Sequence, residues 1–249
     1  MGMTPFPSSM ALLLHIETAT SSSSVAISNN GKLLALAERN EKNIHASVIT
    51  ELITEAATLA GVALNELNAI SVSMGPGSYT GLRIGVATAK GLCYGLEIPL
   101  IGINTLQVMS LGMLDKLKST DPILIIESFF TVCPLIDARR MEVYTARYNQ
   151  SGELTSDTSA LIIDKNTFSE ELAIKPMVFF GDGSDKIKEL YVSSKNACFV
   201  PDFLNSATFQ IIPATAAFNL SNFEDLRSFE PFYLKEFFTT QEQLKPKQN

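Results

Sequence analysis

The sequence predicts an α/β protein of two halves, each a mixed sheet with helices. Short apolar runs of strand length alternate with segments in which apolar residues recur at helical spacing. A weak repeat points to the halves: Glu17 ends one strand fourteen residues before the turn residue Gly31, and Asp137 precedes Gly152 by fifteen. We therefore divide the chain into residues 1–110 and 111–249. The last ~20 residues are expected either to return to the first half or to be disordered.

The first half contains the clearest element signals. Asn30-Gly31 between two apolar runs predicts a β-hairpin, and Gly61 predicts the end of a helix. The predicted elements are strands over 11–16, 25–28 and 33–38, a helix over 46–60, a strand over 69–73, a glycine-rich turn over 75–81, a helix over 82–96, a strand over 99–103, and a helix beginning at 105.

The second half begins the strand pattern again. Strands are predicted over 133–136 and 141–148, a turn over 150–152 and a further strand after it. A strand over 177–180 then leads through a Gly-Asp-Gly turn into a helix over 185–190. A short apolar element covers 231–235, and a polar tail over 241–249 is expected to be frayed.

Composition limits the function classes. The net charge is -7 and the 19 basic residues are scattered, so strong binding of tRNA by this chain alone is not expected. Three separated cysteines in apolar surroundings indicate reduced thiols and a cytoplasmic location. The apolar run over 11–16 is too short for a signal peptide, and no run approaches the length of a membrane span.

The glycine-rich segment over 75–81 has two interpretations. It could hold a phosphate at the start of the following helix, or it could be a tight turn that lets strand and helix pack closely. It matches neither the Walker loop nor the dinucleotide fingerprint, so we favour the structural turn.

The helix after this turn is unusually rich in small residues. Gly81, Gly85 and Ala89 are four residues apart, as are Gly91 and Gly95. A helical glycine costs about 1 kcal/mol relative to alanine, so a compensating role is expected. The stripe could pack on the protein's own sheet or receive a helix of a partner protein, and the spacing alone leaves both possibilities open. Arg83, placed unfavourably at a helix start, is expected to meet a specific carboxylate, in this chain or across an interface, and a solvated arginine is the alternative.

Several segments resemble the TsaB (YeaZ) family, a branch of the actin/Hsp70-like ATPase superfamily. They are LLLHIETATSSSSVAI, HASVITELITEAA, GPGSYTGLRIGVATAKGL and IPLIGINTL, with LIDARRMEVY and PFYLK further along. The first four cover most of residues 12–106. The resemblance implies two ribonuclease-H-like (actin-like ATPase) halves. It also implies a role in making N6-threonylcarbamoyladenosine next to the tRNA anticodon, where TsaD is the catalytic homologue and TsaE an associated ATPase.

The resemblance further implies which residues meet a partner. The family pairs through this helix and the preceding one, so the expected interface comprises His45, Ile49, Ile53, Gly77, Tyr79, Thr80, Gly81, Arg83, Ile84, Gly85, Thr88 and Ala89. The implied partners are TsaD in a heterodimer and TsaE, with a homodimer when the chain is alone and tRNA contacted only through the complex. No cofactor of its own is expected, although ATP or ADP could bind at the complex interface.

The resemblance also implies a non-catalytic subunit. The corresponding TsaD segment has two histidines one helical turn apart, a spacing suited to binding one metal ion. The matching positions here are Thr105 and Met109, and neither is a suitable ligand. No metal site is expected.

A nucleotide cleft is a second, separate expectation. Its candidate residues are Glu17, Thr18, Asp137, Arg139, Gly181 and Gly183. Glu17 could position Mg²⁺-bound water or simply cap a turn. Asp137 and Arg139 could form a salt-bridged turn or face a cleft, and the Gly181–Gly183 segment is more typical of a strand-to-helix turn.

Two competing functions remain at this stage. An independent enzyme of the same superfamily, either an ATPase or kinase or a glycoprotease-like peptidase, would need converging acids or metal ligands. Glu17 and Asp137 could supply two acids, whereas the peptidase ligands are lacking. A homodimeric structural protein is the third possibility.

Overall fold

The fold consists of two five-stranded sheets. The structure is a computed structural model and describes residues 11–40, 46–120 and 129–235. The predicted tail over 241–249 and the interface candidate His45 lie outside the described residues. Within the described ranges, the predicted α/β class with two mixed halves is confirmed.

The first sheet has the strand order β3-β2-β1-β4-β5. Its strands are β1 (Leu12–Glu17), β2 (Ser23–Asn29), β3 (Lys32–Arg39), β4 (Ala69–Gly75) and β5 (Leu100–Asn104). The first three form an antiparallel meander, whereas β4 pairs parallel with β1, and β5 with β4. The predicted hairpin is present, because Asn30 and Gly31 both have positive φ, at 50° and 76°, as a type I′ turn requires.

The second sheet repeats the first. Its strands are β6 (Thr131–Asp137), β7 (Glu142–Tyr148), β8 (Leu154–Ile162), β9 (Met177–Phe180) and β10 (Ala197–Val200). The order β10-β9-β6-β7-β8 again places a three-strand antiparallel meander beside two parallel strands. Both sheets therefore have the mixed arrangement that the repeat predicted, in the ribonuclease-H-like form that the family resemblance implies.

Helices connect and cover the sheets. They are α1 (Ala46–Ala60), α2 (Tyr79–Leu96), α3 (Thr105–Thr120), α4 (Ser169–Ile174) and α5 (Ile211–Asn219), with 3-10 helices at Leu64–Glu66, Asp185–Tyr191 and Ala207–Gln210. The helix predicted over 185–190 is therefore a 3-10 helix. The short elements β10, α4 and α5 were not predicted. None of the helices in the described ranges is long and apolar enough to span a bilayer.

Two hydrophobic layers sandwich the first sheet. On one face, Ile49 and Leu52 of α1 and Val86 of α2 pack against the strands in one core. On the other face, α3 and α5 cover the sheet, with Val108 and Ala214 in the core between them. Helix α3 also contributes Leu106, Met109 and Met113 to the core of the second half. It is therefore packed against both halves at once.

The chain returns to the first half after the second sheet. The 3-10 helix at 207–210 packs on β1 and β2, and α5 packs on β5. Beyond α5, the Glu224 N–H donates to the Leu100 carbonyl and the Phe229 ring fills the space beside Gly102. We call residues 229–235 the C-terminal strap. The first half thus contains residues from both ends of the described chain.

Candidate functional site

A cleft of about 1010 Å³ separates the two halves. Its walls are residues 19–21 and 76–80 of the first half, residues 136–142 with Asp182 and neighbouring side chains of the second half, and residues 232–235 of the strap. A cavity of this volume accommodates a small molecule of nucleotide size. Of the twelve interface candidates, Gly77, Tyr79 and Thr80 lie in this cleft wall.

Two arginines form the tip of the β6–β7 hairpin in the cleft. Arg139 and Arg140 have φ values of 73° and 50°, a left-handed backbone that costs about 1–3 kcal/mol for residues other than glycine. The Asp137 carboxylate fixes this turn by accepting the Arg139 N–H at 2.6 Å. Within the described part of the chain, no salt bridge engages either guanidinium. Both groups are exposed and suited to an anionic ligand.

Asp137 lies at the rim of the cleft and is paired. Its carboxylate is 2.6 Å from Lys186 Nζ, and its backbone N–H donates to the Asp182 carboxylate at 2.9 Å. The interpretation of this segment as a salt-bridged turn therefore holds for Asp137. Its cation is Lys186, however, because Arg139 contributes only its backbone N–H to the turn.

Glu17 does not reach the cleft, contrary to the prediction. It is fully buried; Ser73 donates to one carboxylate oxygen and the Ala19 N–H donates to the other at 2.7 Å. Burial raises the pKa of this carboxyl to about 7, although these hydrogen bonds oppose the shift. Gln210 lies over the group and donates to Ser73 Oγ and to the Ile16 carbonyl. The turn-capping alternative describes Glu17 correctly, and a role in positioning metal-bound water does not fit its burial.

Thr18 and the two glycines of the second half are also structural. The Thr18 hydroxyl is buried and donates to the Gly81 carbonyl at 2.8 Å. Gly181 has a φ of 95°, and a Cβ there would lie 2.4 Å from the Leu135 carbonyl oxygen. The Gly183 N–H donates to that same carbonyl. Thr18 is thus bonded to α2 and the two glycines pack against β6, so none of the three lines the cleft; only Asp182 between the glycines does.

Helix α2 buries the stripe that was assigned to a partner. A Cβ at Gly81 would lie 2.0 Å from the Thr18 carbonyl oxygen, and one at Gly85 would lie 2.2 Å from Thr18 Oγ1. Ala89 is fully buried as well. The interpretation of this stripe as an open face is wrong, because its small residues let α2 approach the protein's own β1 turn and β4. A bulky residue at Gly85 would disturb this fold.

Two candidates on α1 are buried for the same reason. Ile49 and Ile53 belong to the core between α1 and the first sheet, with exposed fractions of 0% and 4%. The family resemblance implied that they meet a partner, but apolar residues at helical spacing on a helix that covers a sheet face that sheet.

The opposite side of α2 carries a second stripe of small residues. Ala87, Gly91 and Gly95 are exposed at four-residue spacing, and a Cβ at either glycine would meet nothing within 4 Å. We call the outer face the exposed side of α2 together with the threonines of α1, because both helices cover the same side of the first sheet. Its members are Thr50, Thr54, Thr58, Arg83, Ile84, Ala87, Thr88, Gly91, Tyr94 and Gly95.

Arg83 meets aromatic groups instead of a carboxylate. Its guanidinium carbon lies 4.1 Å from the Tyr79 ring centroid, and its Nε donates to the Tyr233 hydroxyl at 3.3 Å. The two tyrosine rings are 5.1 Å apart. The hydrogen bond to Tyr233 raises the pKa of Arg83 above its ordinary value. This cluster joins the outer face to the mouth of the cleft.

Sequence reasoning missed three residues of this region, namely Arg140, Tyr233 and Lys235. All three lie in the later motifs LIDARRMEVY and PFYLK, which therefore were the available signal. Lys235 contacts Glu142 across the cleft and Tyr233 contacts Arg83 of α2, and no local pattern encodes contacts between residues so distant in sequence.

The positions that correspond to a TsaD histidine pair are packed in the interior. Thr105 Oγ1 accepts the Gly75 N–H at 3.1 Å, and Met109 is 2% exposed in the second core. Among the described residues, no group of three or more His, Cys, Asp or Glu side chains is arranged to hold a metal ion.

Comparison with known proteins yields consistent matches. Residues 36–236 match a family model described as TsaD: tRNA N6-adenosine threonylcarbamoyltransferase. The chain is 38% identical over 138 residues to the tRNA threonylcarbamoyladenosine biosynthesis protein TsaB of Escherichia coli (strain K12). That alignment spans 55% of this chain and 55% of the relative, about half the length of each. A Buchnera aphidicola (Acyrthosiphon pisum strain APS) protein of the same name is 28% identical over 207 residues, covering 81% and 89%.

A solved structure shares the fold. A Pseudomonas aeruginosa protein described as similar to the peptidase YeaZ superposes with a TM-score of 0.76 at 24% identity. The match covers 91% of this chain and 100% of that chain.

Proposed function

Because the chain belongs to the TsaD family and its named relatives are TsaB proteins, we propose that it serves in N6-threonylcarbamoyladenosine synthesis on tRNA, as a non-catalytic partner that binds and activates TsaD. The TsaB relationship predicted from the sequence motifs is confirmed. The proposal extends to a cytoplasmic location, to TsaE as a further partner, and to tRNA contact only through the complex.

The interior around Thr105 and Met109 supports the non-catalytic part of the proposal. A metal-binding pair at these positions would need two side chains with free donor atoms facing a cleft. Thr105 instead bonds the Gly75 backbone, and Met109 packs under Gly181. Both side chains are therefore engaged inside the protein, Thr105 with the first half and Met109 with the second. The reactive metal would therefore belong to the partner.

The outer face supports protein docking. Ala87, Gly91 and Gly95 leave a shallow notch along α2, and beside it Tyr94 is 81% exposed. A helix can approach such a notch closely, and an exposed aromatic ring next to it is typical of an interface. The face that we propose for TsaD is therefore the outer face, with Arg83, Ile84 and Thr88 retained from the predicted set. The same face would form the homodimer of the free chain.

Pairing is tested by placing leucine in the notch. Gly91→Leu fills open space without touching the core, so the chain should stay folded while its affinity for TsaD falls at least about tenfold. The matched control is Ser119→Leu, which adds the same side chain to an exposed position of α3. Titration by calorimetry measures both affinities. Unchanged affinity for Gly91→Leu would contradict the proposed face.

Activation is tested in a reconstituted modification assay. TsaD, TsaE, tRNA and the threonylcarbamoyl-adenylate donor are combined with and without this chain, and threonylcarbamoyladenosine is quantified. We expect the modified nucleoside to depend on the chain, and Gly91→Leu to reduce it in step with pairing. Full modification in the absence of the chain would refute the role as activator. Modification by the chain without TsaD would instead favour an enzyme.

The cleft supports a second candidate function, the binding of ATP or ADP. The supporting observation is the pair of exposed guanidiniums at Arg139 and Arg140, which face a cavity of about 1010 Å³. Arginine is suited to bidentate contacts with phosphate. Replacing both arginines with glutamine should abolish binding of ADP by calorimetry, while Lys165→Ala leaves it unchanged. If the double variant and the wild type bind ADP with equal affinity, ADP does not bind at these arginines. If ADP binds only when TsaD is present, the nucleotide site lies at the interface of the complex.

A further inference from the structure

The C-terminal strap is held to the first half by backbone and aromatic contacts. Lys90 Nζ donates to the Phe229 carbonyl at 2.7 Å, and the Phe232 N–H donates to the Met74 carbonyl at 2.7 Å. Gly75 makes this approach possible, because a Cβ there would lie 2.5 Å from the Phe232 carbonyl oxygen. The strap therefore runs directly across the end of β4 and into the cleft.

The strap then reaches the second half through one ion pair. Lys235 Nζ bonds the carboxylate of Glu142, the first residue of β7. The Glu142 side chain is 16% exposed and that of Lys235 is 46% exposed. The contact lies immediately after the Arg139–Arg140 turn, so the strap ties the cleft's opposite wall to the first half.

The other connections between the halves do not involve the strap. Helix α3 packs in both cores, and the segment at 205–210 is bonded to the first sheet through Ser22 and Ser24. A further contact is the hydrogen bond from Asn104 Nδ2 to Thr158 Oγ1 at 3.2 Å, and neither these two residues nor α3 line the cleft. Two halves joined outside the cleft in this way can change the separation of the cleft walls by a hinge motion. The strap is thus the described segment that spans the cleft at residues 232–235.

Arg83 connects the strap to the outer face. It lies on α2 one turn before Ala87, and its guanidinium is held between the Tyr79 ring and the Tyr233 hydroxyl of the strap. Its side chain is exposed, so an incoming carboxylate can compete for it. A charged acceptor binds a guanidinium more strongly than a phenol hydroxyl does.

We propose that the strap couples the outer face to the width of the cleft. A docking partner that offers a carboxylate to Arg83 withdraws it from Tyr233, which loosens the strap and releases Glu142 from Lys235. The cleft then opens. This coupling rests on the proposed function in one respect, since the docking partner is TsaD.

The strap's hold on the second half is tested in the isolated full chain. Spin labels on Lys32→Cys in the first half and on exposed Cys198 in the second report the distance between the halves; Cys93 and Cys133 are buried. Lys235→Ala should raise the ratio of open to closed forms about two- to fivefold, as expected for a half-exposed ion pair. Lys165→Ala is the matched control and should leave the distances unchanged. An unchanged distribution in Lys235→Ala overturns the strap's role.

Coupling is tested by adding TsaD. Wild-type distances should shift toward the open form, and Lys235→Ala should bind TsaD about two- to fivefold more tightly, because linkage between two sites is reciprocal. Binding with neither shift nor affinity change overturns the coupling. Absence of any TsaD binding overturns the proposed function and the coupling with it. The effect of the strap in the isolated chain is tested separately, by the spin-label distances.

Discussion

The two sides of α2 carry the same kind of residue for opposite reasons. Gly81, Gly85 and Ala89 form one stripe, and Ala87, Gly91 and Gly95 form another. On the first stripe an added methyl group would strike Thr18, whereas at the glycines of the second it would enter open space. Small residues are therefore sterically required on the inner side. On the outer side the fold does not need them, which is the reason to seek their role in a partner.

The two stripes show how much of a helix's environment can be predicted from the spacing of its residues. Both stripes repeat every four residues, so periodicity identifies a helix and its small-residue rows but not which row faces the sheet. The sequence interpretation chose the inner row as the partner surface, but the structure buries that row inside the protein, with its two glycines against Thr18. Three other residues of the predicted interface, Arg83, Ile84 and Thr88, lie on the outer side.

The sharpest way to break this comparison is to make the same change on each side. Gly81→Ala should lower the free energy of unfolding by about 3 kcal/mol, because its Cβ would lie 2.0 Å from a backbone carbonyl oxygen that has little room to move. Urea denaturation measures the loss. A variant as stable as the wild type would show that α2 is not seated closely on the Thr18 turn.

The buried side also predicts an unusual pH dependence at Glu17, which adjoins Thr18. Its folded-state pKa is raised from 4.5 to about 7. Its contribution to the free energy of unfolding is therefore complete below pH 4.5 and is lost as the pH rises through 7. The loss is about 3 kcal/mol. Glu17→Gln keeps the shape and removes this decline, which denaturation at a series of pH values would reveal.

His15 provides the opposing slope. Burial lowers its pKa from 6.5 to about 3, so its contribution is complete above pH 6.5 and is lost as the pH falls toward 3. Its ring nitrogens contact the hydroxyls of Ser71 and Ser28 at 2.7 and 2.8 Å. In Glu17→Gln, the loss of stability at acid pH that His15 causes should be the one that remains of these two pH-dependent losses. Parallel pH curves for the variant and the wild type would contradict the buried carboxyl.

The outer side predicts a gain from the same substitution that harms the inner side. Gly91→Ala should raise the free energy of unfolding by about 1 kcal/mol, since alanine favours the helix and meets nothing within 4 Å. Denaturation alongside Gly81→Ala gives the matched pair. Opposite signs support the comparison, and a loss at Gly91 would show that something covers that face within the chain.

The smallest effect is expected at the second half's counterpart of Glu17. Asp137 ends β6 as Glu17 ends β1, but its side chain is 46% exposed and paired with Lys186. Asp137→Asn should therefore lower the free energy of unfolding by less than about 1 kcal/mol. A loss of stability as large as that from Gly81→Ala would contradict the prediction, because it would mean that the Asp137 turn is as buried as the Glu17 turn.

Local patterns predicted most of the fold. The Asn30-Gly31 hairpin, the end of α1 at Gly61 and the repeated meander all follow from short-range chemistry. The elements that were missed, β10, α4 and α5, are only four, six and nine residues long and depend on neighbours already in place. The site was predicted less well. Glu17 is buried because Gln210, far along the chain, lies over it, and no local pattern announces that contact.

The sequence by itself determined the family, the two mixed halves and the small-residue rows of α2, because these follow from motifs, turn chemistry and periodicity. Only the tertiary structure decided which row is sealed, which acid is exposed, and where the PFYLK segment runs. Each of those outcomes depends on residues distant in sequence that meet in space, and on which of them excludes water.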